Sequence, residues 1–144
     1  MTRFIFSVLS IFYISGIFLL AGSPYISKIA TFNPYSILHI PLYGILTALL
    51  ILSFVPISHS SNNPLTQSTN DSMTKLPNNL MPRCIIAGLI ALGVAIADEV
   101  HQTYIPGREA SFTDVLLDAI GIALVLLLIH RIFRWKISTS TRPT

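Results

Sequence analysis

The sequence predicts an all-α, polytopic membrane protein with four transmembrane helices. Of its 144 residues, 52% are hydrophobic and only 10% are charged, whereas about 25% of the residues of a soluble domain are charged. Four apolar segments lie along the chain, at about residues 4–21, 35–55, 84–102 and 112–133. A spanning helix needs ~20 residues, so we expect one four-helix domain over residues 1–144.

The first apolar segment, residues 4–21, follows a single basic residue, Arg3. The same arrangement fits a secretory signal peptide, because Ala21, Gly22 and Ser23 resemble a small-residue cleavage site. The apolar run is longer than the ~7–15 residues of a signal-peptide core. We therefore predict an uncleaved first helix, with cleavage as the alternative.

The second segment, residues 35–55, carries polar residues at a helical interval. His39, Tyr43 and Thr47 are four residues apart, which places them on one face of a helix. The residues that follow, 58–82, are rich in Ser, Asn, Thr and Pro and lack apolar periodicity. They predict a flexible loop.

The third segment is apolar for only 14 residues, 84–97. It spans a membrane only if Asp98, Glu99 and Gln102 belong to the same helix and face protein or water. Small residues recur along it every four positions, which favours close packing against another helix: Ala87, Ala91 and Ala95.

The fourth segment, residues 112–133, follows a turn that contains Pro106 and Gly107. Ser111 and Asp114 fit a capping box at its start. Asp118 lies four residues after Asp114 and therefore on the same helix face.

The basic residues predict how the helices are oriented. Seven of the nine bases lie in the amino end, the middle loop or the carboxyl end: Arg3, Lys75, Arg83, Arg131, Arg134, Lys136 and Arg142. The positive-inside rule therefore places both termini and the loop 58–82 in the cytoplasm. Because the bases lie at the ends of apolar segments, we exclude a nucleic-acid partner and expect contacts with membrane lipids.

Five of the six acidic residues lie between Asp98 and Asp118. Measured along their helices, Asp98 and Asp118 both lie ~9 Å below the outer surface of a core ~30 Å thick. Carboxylates at such depth are costly unless they are paired, hydrated or functional. We predict an outward-facing polar pocket formed by His39, Tyr43, Asp98, Glu99, Gln102, Arg108, Asp114 and Asp118.

Within this pocket, Arg108 is placed to pair with the acids, since its guanidinium binds a carboxylate or phosphate bidentately. A purely structural network of buried acids around Arg108 is the alternative. The sequence lacks a compact ligand motif such as H-E-x-x-H and has one cysteine, Cys84. We therefore predict no metal site and no cofactor.

These motifs resemble the signature of the VanZ-like family. The family pattern D-E-x-x-Q, then P-G-R, then D-V matches residues 98–102, 106–108 and 114–115, and Asp118 precedes a helix glycine, Gly121. The upstream His39 and Tyr43 are similar to its H-x-x-x-Y element. Where the family usually has an Asp-Lys pair before the histidine, this sequence has Asn33 and Pro34.

The resemblance implies a small multi-pass protein of the bacterial cytoplasmic (inner) membrane that affects the cell envelope and teicoplanin susceptibility. On the first hypothesis, its pocket binds a lipid headgroup or a lipid-linked ligand such as a cell-wall precursor. On the second, it is a membrane-embedded hydrolase or transferase that uses carboxylates and His39 in acid/base or metal-assisted chemistry. A channel fits less well, because the acids occupy only the outer third of the helices.

Overall fold

The structure is a computed structural model that describes residues 2–21, 23, 33–54, 80–106 and 108–140, without the side chains of 33–35 and 136–140. All regular elements in these ranges are helical. They are α1 (Thr2–Ala21), a 3-10 helix (Asn33–Leu38), α2 (His39–Phe54), α3 (Leu80–Gln102) and α4 (Phe112–Ser140).

The prediction of an all-α protein with four candidate membrane spans is confirmed. The spans are Thr2–Ala21, Ser36–Phe54, Leu80–Gln102 and Phe112–Trp135. Most of the predicted loop, residues 58–79, lies outside the described residues, but residues 80–82 are helical instead. Pro82 is tolerated there because the first amides of a helix have no intrahelical partner.

α2 occupies the centre of the bundle and packs against α1, α3 and α4. Its side chains Tyr43, Leu46 and Thr47 are completely buried. Large apolar side chains instead lie on the outside of the bundle, among them Phe12 and Leu127. This distribution, with polar groups inside and apolar groups outside, is the one that a lipid environment favours.

Small residues determine how closely the helices approach. The alanines at positions 87, 91 and 95 are fully buried in the core, as their four-residue spacing on α3 predicts. On α4, Gly121 lies against the backbone of Ile40, and a Cβ at this glycine would collide with the Ile40 carbonyl oxygen. This close approach places the start of α2 beside the acidic face of α4.

Arginines join three helices at one end of the bundle, here called the basic end. Arg3 donates from Nε to the carbonyl oxygen of Ser53 and from Nη2 to that of Phe54, and each of these hydrogen bonds is 3.2 Å long. Arg83 donates to the same Phe54 oxygen, also over 3.2 Å. Cations are favourable here because the carboxyl end of a helix carries partial negative charge. The cytoplasmic placement of this end, and of both termini, stays a prediction.

Candidate functional site

Polar side chains gather at the opposite end of the bundle, where α2 and α4 begin and α3 ends. We call this group the polar cluster. Its members are His39 and Tyr43 from α2, Asp98, Glu99 and Gln102 from α3, and Ser111, Asp114 and Asp118 at the start of α4. Seven of the eight residues that the sequence predicts for the pocket thus lie in one group. Arg108 is the exception.

The pair His39–Asp118 joins α2 to α4. His39 Nδ1 lies 2.9 Å from Asp118 Oδ1, and the Asp118 side chain is fully buried whereas that of His39 is 13% exposed. The His39 ring also stacks on Tyr43, with centroids 6.3 Å apart and planes inclined by 16°. An imidazole held by a carboxylate at Nδ1 keeps its other nitrogen available for a proton, a substrate or a metal.

Asp98 links α3 to α2 through one of its oxygens. Gln102 Nε2 donates to Asp98 Oδ2 over 3.0 Å, and the Tyr43 hydroxyl approaches the same oxygen at 3.4 Å. Gln102 also donates to Glu99 Oε1 at 3.3 Å. The four-residue interval from Asp98 to Gln102 makes this arrangement possible, since such residues are neighbours on a helix.

Glu99 joins the end of α3 to the start of α4. Its Oε2 accepts a hydrogen bond of 2.8 Å from the backbone amide of Ser111. The Ser111 hydroxyl in turn accepts from the Asp114 amide at 3.3 Å, which is one half of the predicted capping box; the Ser111 amide binds Glu99 instead of the Asp114 side chain. Sequence reasoning assigned Ser111 only to this cap and did not find its amide contact with Glu99.

Several buried acceptor atoms of the polar cluster have no hydrogen-bond partner within the described part of the chain. They are Asp98 Oδ1, Asp114 Oδ1 and Asp118 Oδ2. Asp98 and Asp118 are 3% and 0% exposed. An unpartnered buried polar atom costs about 1–3 kcal/mol, more when it is charged. These oxygens therefore favour the binding of a proton, water or cation.

Arg108 does not bind these carboxylates. Its Nη1 donates to the carbonyl oxygen of Ala21, the last residue of α1, over 3.2 Å. Among the described residues, the ion pair His39–Asp118 is the only one within 4.0 Å. Arg108 therefore makes no ion pair within 4.0 Å with a described acid, and its guanidinium instead binds the carboxyl end of α1. In the part of the chain that the structure describes, no lysine or arginine lies within 4.0 Å of the four carboxylates of the polar cluster.

Three members of the polar cluster have the arrangement of metal ligands. One nitrogen of His39 and one oxygen each of Glu99 and Asp114 all lie within 4.8 Å of one another. All three belong to the predicted pocket, but the sequence analysis predicted no metal site, because these residues come from three different helices and form no short ligand motif.

Comparison with known proteins gives a family match. The profile of the VanZ/LLP1 family matches residues 3–134. No curated protein and no solved structure matches the chain.

Proposed function

Because the chain belongs to the VanZ/LLP1 family and has four candidate membrane spans, we propose that its polar cluster binds the headgroup of a lipid or a lipid-linked ligand. The protein acts in the bacterial cytoplasmic membrane, with the polar cluster on the extracytoplasmic side. Binding of cell-wall precursors there changes the envelope and thereby the susceptibility of the cell to teicoplanin.

The excess of negative charge in the polar cluster carries this proposal. Among the described residues, its four carboxylates make one ion pair within 4.0 Å, that of Asp118 with His39, and none with a lysine or arginine. Buried carboxylates need a compensating positive charge. The bound group supplies that charge, either through a headgroup amine or through a divalent cation that bridges to a phosphate.

Access from the membrane supports a lipid ligand. The 13% exposed side chain of His39 brings the polar cluster to the surface of the bundle. Ile37 and Leu38, directly before His39, are largely exposed. A headgroup therefore reaches the carboxylates while its acyl or prenyl chain stays beside the apolar residues that precede α2.

A binding experiment with defined lipids tests the proposal. The purified protein in nanodiscs is titrated with a lipid-linked cell-wall precursor, with phosphatidylethanolamine and with phosphatidylglycerol, each with and without Mg²⁺. The double variant Asp98→Asn/Asp114→Asn removes two charges at nearly constant volume. We expect it to bind the precursor or the amine lipid at least about tenfold more weakly, which corresponds to about 1.4 kcal/mol.

The matched control is Glu109→Gln, which removes a charge from an exposed residue in the turn before α4. It should bind like the wild type. The proposal fails if wild type binds no tested lipid, or if the double variant binds all of them as tightly as the control. The same variants can be compared by their effect on resistance in a teicoplanin-sensitive host. The double variant should lose the resistance that wild type confers, and Glu109→Gln should keep it.

The pair His39–Asp118 favours one second function, a membrane-embedded hydrolase or transferase. A histidine held by a carboxylate at 2.9 Å is a common general base. This candidate predicts that the protein converts a lipid-linked precursor to a new product and that His39→Ala abolishes the conversion. Tight binding with no product from any precursor tested would leave binding as the function.

A further inference from the structure

We propose that His39, Glu99 and Asp114 hold a divalent metal ion and that Asp118 positions His39 for it. The identity of the external ligand that the metal would bind, a lipid-linked phosphate, rests on the proposed function. Metal binding itself requires no lipid and is measurable without one.

The three candidate ligands converge from three helices. Their donor atoms lie within 4.8 Å of one another. Two donors on one Zn²⁺ ion, each bonded at ~2.0–2.2 Å, are at most ~4.4 Å apart. Small side-chain rotations therefore suffice to close the site.

Asp118 is positioned like the carboxylates that orient metal-binding histidines in known metal sites. It is fully buried and contacts Nδ1 of His39 at 2.9 Å. When Nδ1 donates its proton to this carboxylate, the lone pair of Nε2 is free to bind a cation. Glu99 is held in a similar way by the Ser111 amide at 2.8 Å, since carboxylate ligands are themselves usually hydrogen-bonded.

Buried acceptors without partners are a second, independent observation that points to a cation. Asp114 Oδ1 is a buried atom with no hydrogen-bond partner in the described part of the chain, and so are one oxygen of Asp98 and one of Asp118. The last two residues are more than nine-tenths buried. A divalent ion at this position neutralises charge that no described lysine or arginine contacts.

The donor set indicates the class of metal. One imidazole and two carboxylates, without a thiolate, suit Mn²⁺ or Zn²⁺ better than soft metals. Three protein ligands leave at least one position open, as in catalytic sites and unlike closed structural ones. A phosphate oxygen of a lipid-linked ligand fits this open position, where the metal polarises it.

Metal titration of the purified protein tests the inference. Protein treated with a chelator is titrated with Mn²⁺, and free Mn²⁺ is followed by electron paramagnetic resonance, with Zn²⁺ as a competitor. We expect one ion per chain. The variants His39→Ala, Glu99→Gln and Asp114→Asn should lose this binding. Asp118→Asn should keep the stoichiometry but bind about 10–100-fold more weakly.

Two controls keep the result specific. Glu109→Gln removes an exposed charge near the polar cluster, and His130→Ala removes a histidine in the last turns of α4, far along the helix from Asp114. Both should bind Mn²⁺ like the wild type. The inference is overturned if wild type binds neither Mn²⁺ nor Zn²⁺ saturably, or if Glu99→Gln and Asp114→Asn bind as tightly as these controls.

The experiment separates the two proposals when lipid binding is measured on the same samples. Lipid binding by a wild-type protein that binds neither Mn²⁺ nor Zn²⁺ saturably would disprove the metal site and leave the proposed function standing. Saturable metal binding that is unaffected by every lipid, in a protein that binds none of them, would disprove the proposed function and leave the metal site standing.

Discussion

At the scale of single residues, the polar cluster shows how a few side chains connect three helices. Glu99 contributes twice, since it accepts from the Ser111 amide at 2.8 Å and from Gln102 at 3.3 Å. Asp118 contributes through one short contact with His39. Such bonds are strong when charged and costly to leave unmade in a buried place.

Replacing Glu99 tests the connection between α3 and α4. Glu99→Ala removes the acceptor of the Ser111 amide and of Gln102, so we expect the free energy of unfolding to fall by about 1–3 kcal/mol. Glu99→Gln keeps an acceptor oxygen and should lose less. Thermal unfolding in detergent measures both, and equal stability of Glu99→Ala and wild type would contradict the role given to Glu99.

The residue types and intervals were sufficient to predict most of the polar cluster. His39 with Tyr43 and Asp98 with Gln102 are visible in sequence because four-residue spacing reports a shared helix face. The partner of Arg108 was not predictable, because the Ala21 carbonyl is 87 positions away in the chain. His39, Glu99 and Asp114 were all predicted for the pocket, but which carboxylates lie within a metal ion's reach of His39 was not, because distances between side chains on different helices leave no local pattern in the sequence.

At the scale of helices, the close approach of α2 and α4 positions the site. Gly121, which has no side chain, lies against the Ile40 backbone. Gly121 is three residues after Asp118, and Ile40 comes directly after His39, so this contact brings the two ionisable residues close together. Close packing at small residues is a general means of joining membrane helices. The contact between His39 and Asp118 therefore depends on a glycine that takes no part in binding.

Substitution of this glycine separates packing from helix propensity. Gly121→Ala should lower the free energy of unfolding by about 1–3 kcal/mol, because the new Cβ meets the Ile40 backbone and forces the helices apart. The higher helix propensity of alanine alone would instead raise the free energy of unfolding by up to ~1 kcal/mol.

The matched control is Gly93→Ala on α3, where a Cβ meets nothing within 4 Å. Its stability should equal or slightly exceed that of wild type in the same thermal unfolding assay. If both variants changed stability in the same direction and by the same amount, the close approach of α2 and α4 would not be the cause.

Helix boundaries were less predictable than helix number. The sequence places the end of the fourth segment near residue 133, whereas α4 continues to Ser140. Hydropathy reports only the part of a helix that crosses the membrane core, and a helix continues beyond it as long as its backbone bonds are made. α3 likewise begins at Leu80, before the predicted start at residue 84, because a proline or a polar residue in the first turn does not stop a helix.

At the scale of the whole molecule, the two ends of the bundle differ in charge. Arg3 and Arg83 bind the end of α2 at the basic end, and the carboxylates lie at the other. The loop charges, which include these two arginines, predict that the basic end faces the cytoplasm, and this orientation stays a prediction.

Cysteine labelling tests that orientation. The native Cys84 is buried and is replaced by serine, and Tyr104, which is 80% exposed in the turn after α3, is replaced by cysteine. A membrane-impermeant maleimide should label Tyr104→Cys in intact cells. Met81→Cys, at the other end of α3, should be labelled only after the cells are opened, and the reverse pattern would refute the orientation.

The central claim is that acids from α3 and α4 share one buried polar cluster with His39 while the protein is in its membrane. Carbodiimide modification of native membranes, resolved residue by residue by mass spectrometry, tests it most directly, with the exposed Glu109 as the internal reference. We predict that Asp98, Glu99 and Asp118 react much more slowly than Glu109 and that His39→Ala speeds their reaction. Reaction of these three carboxylates at the rate of Glu109 would show that they face water separately and would contradict the account.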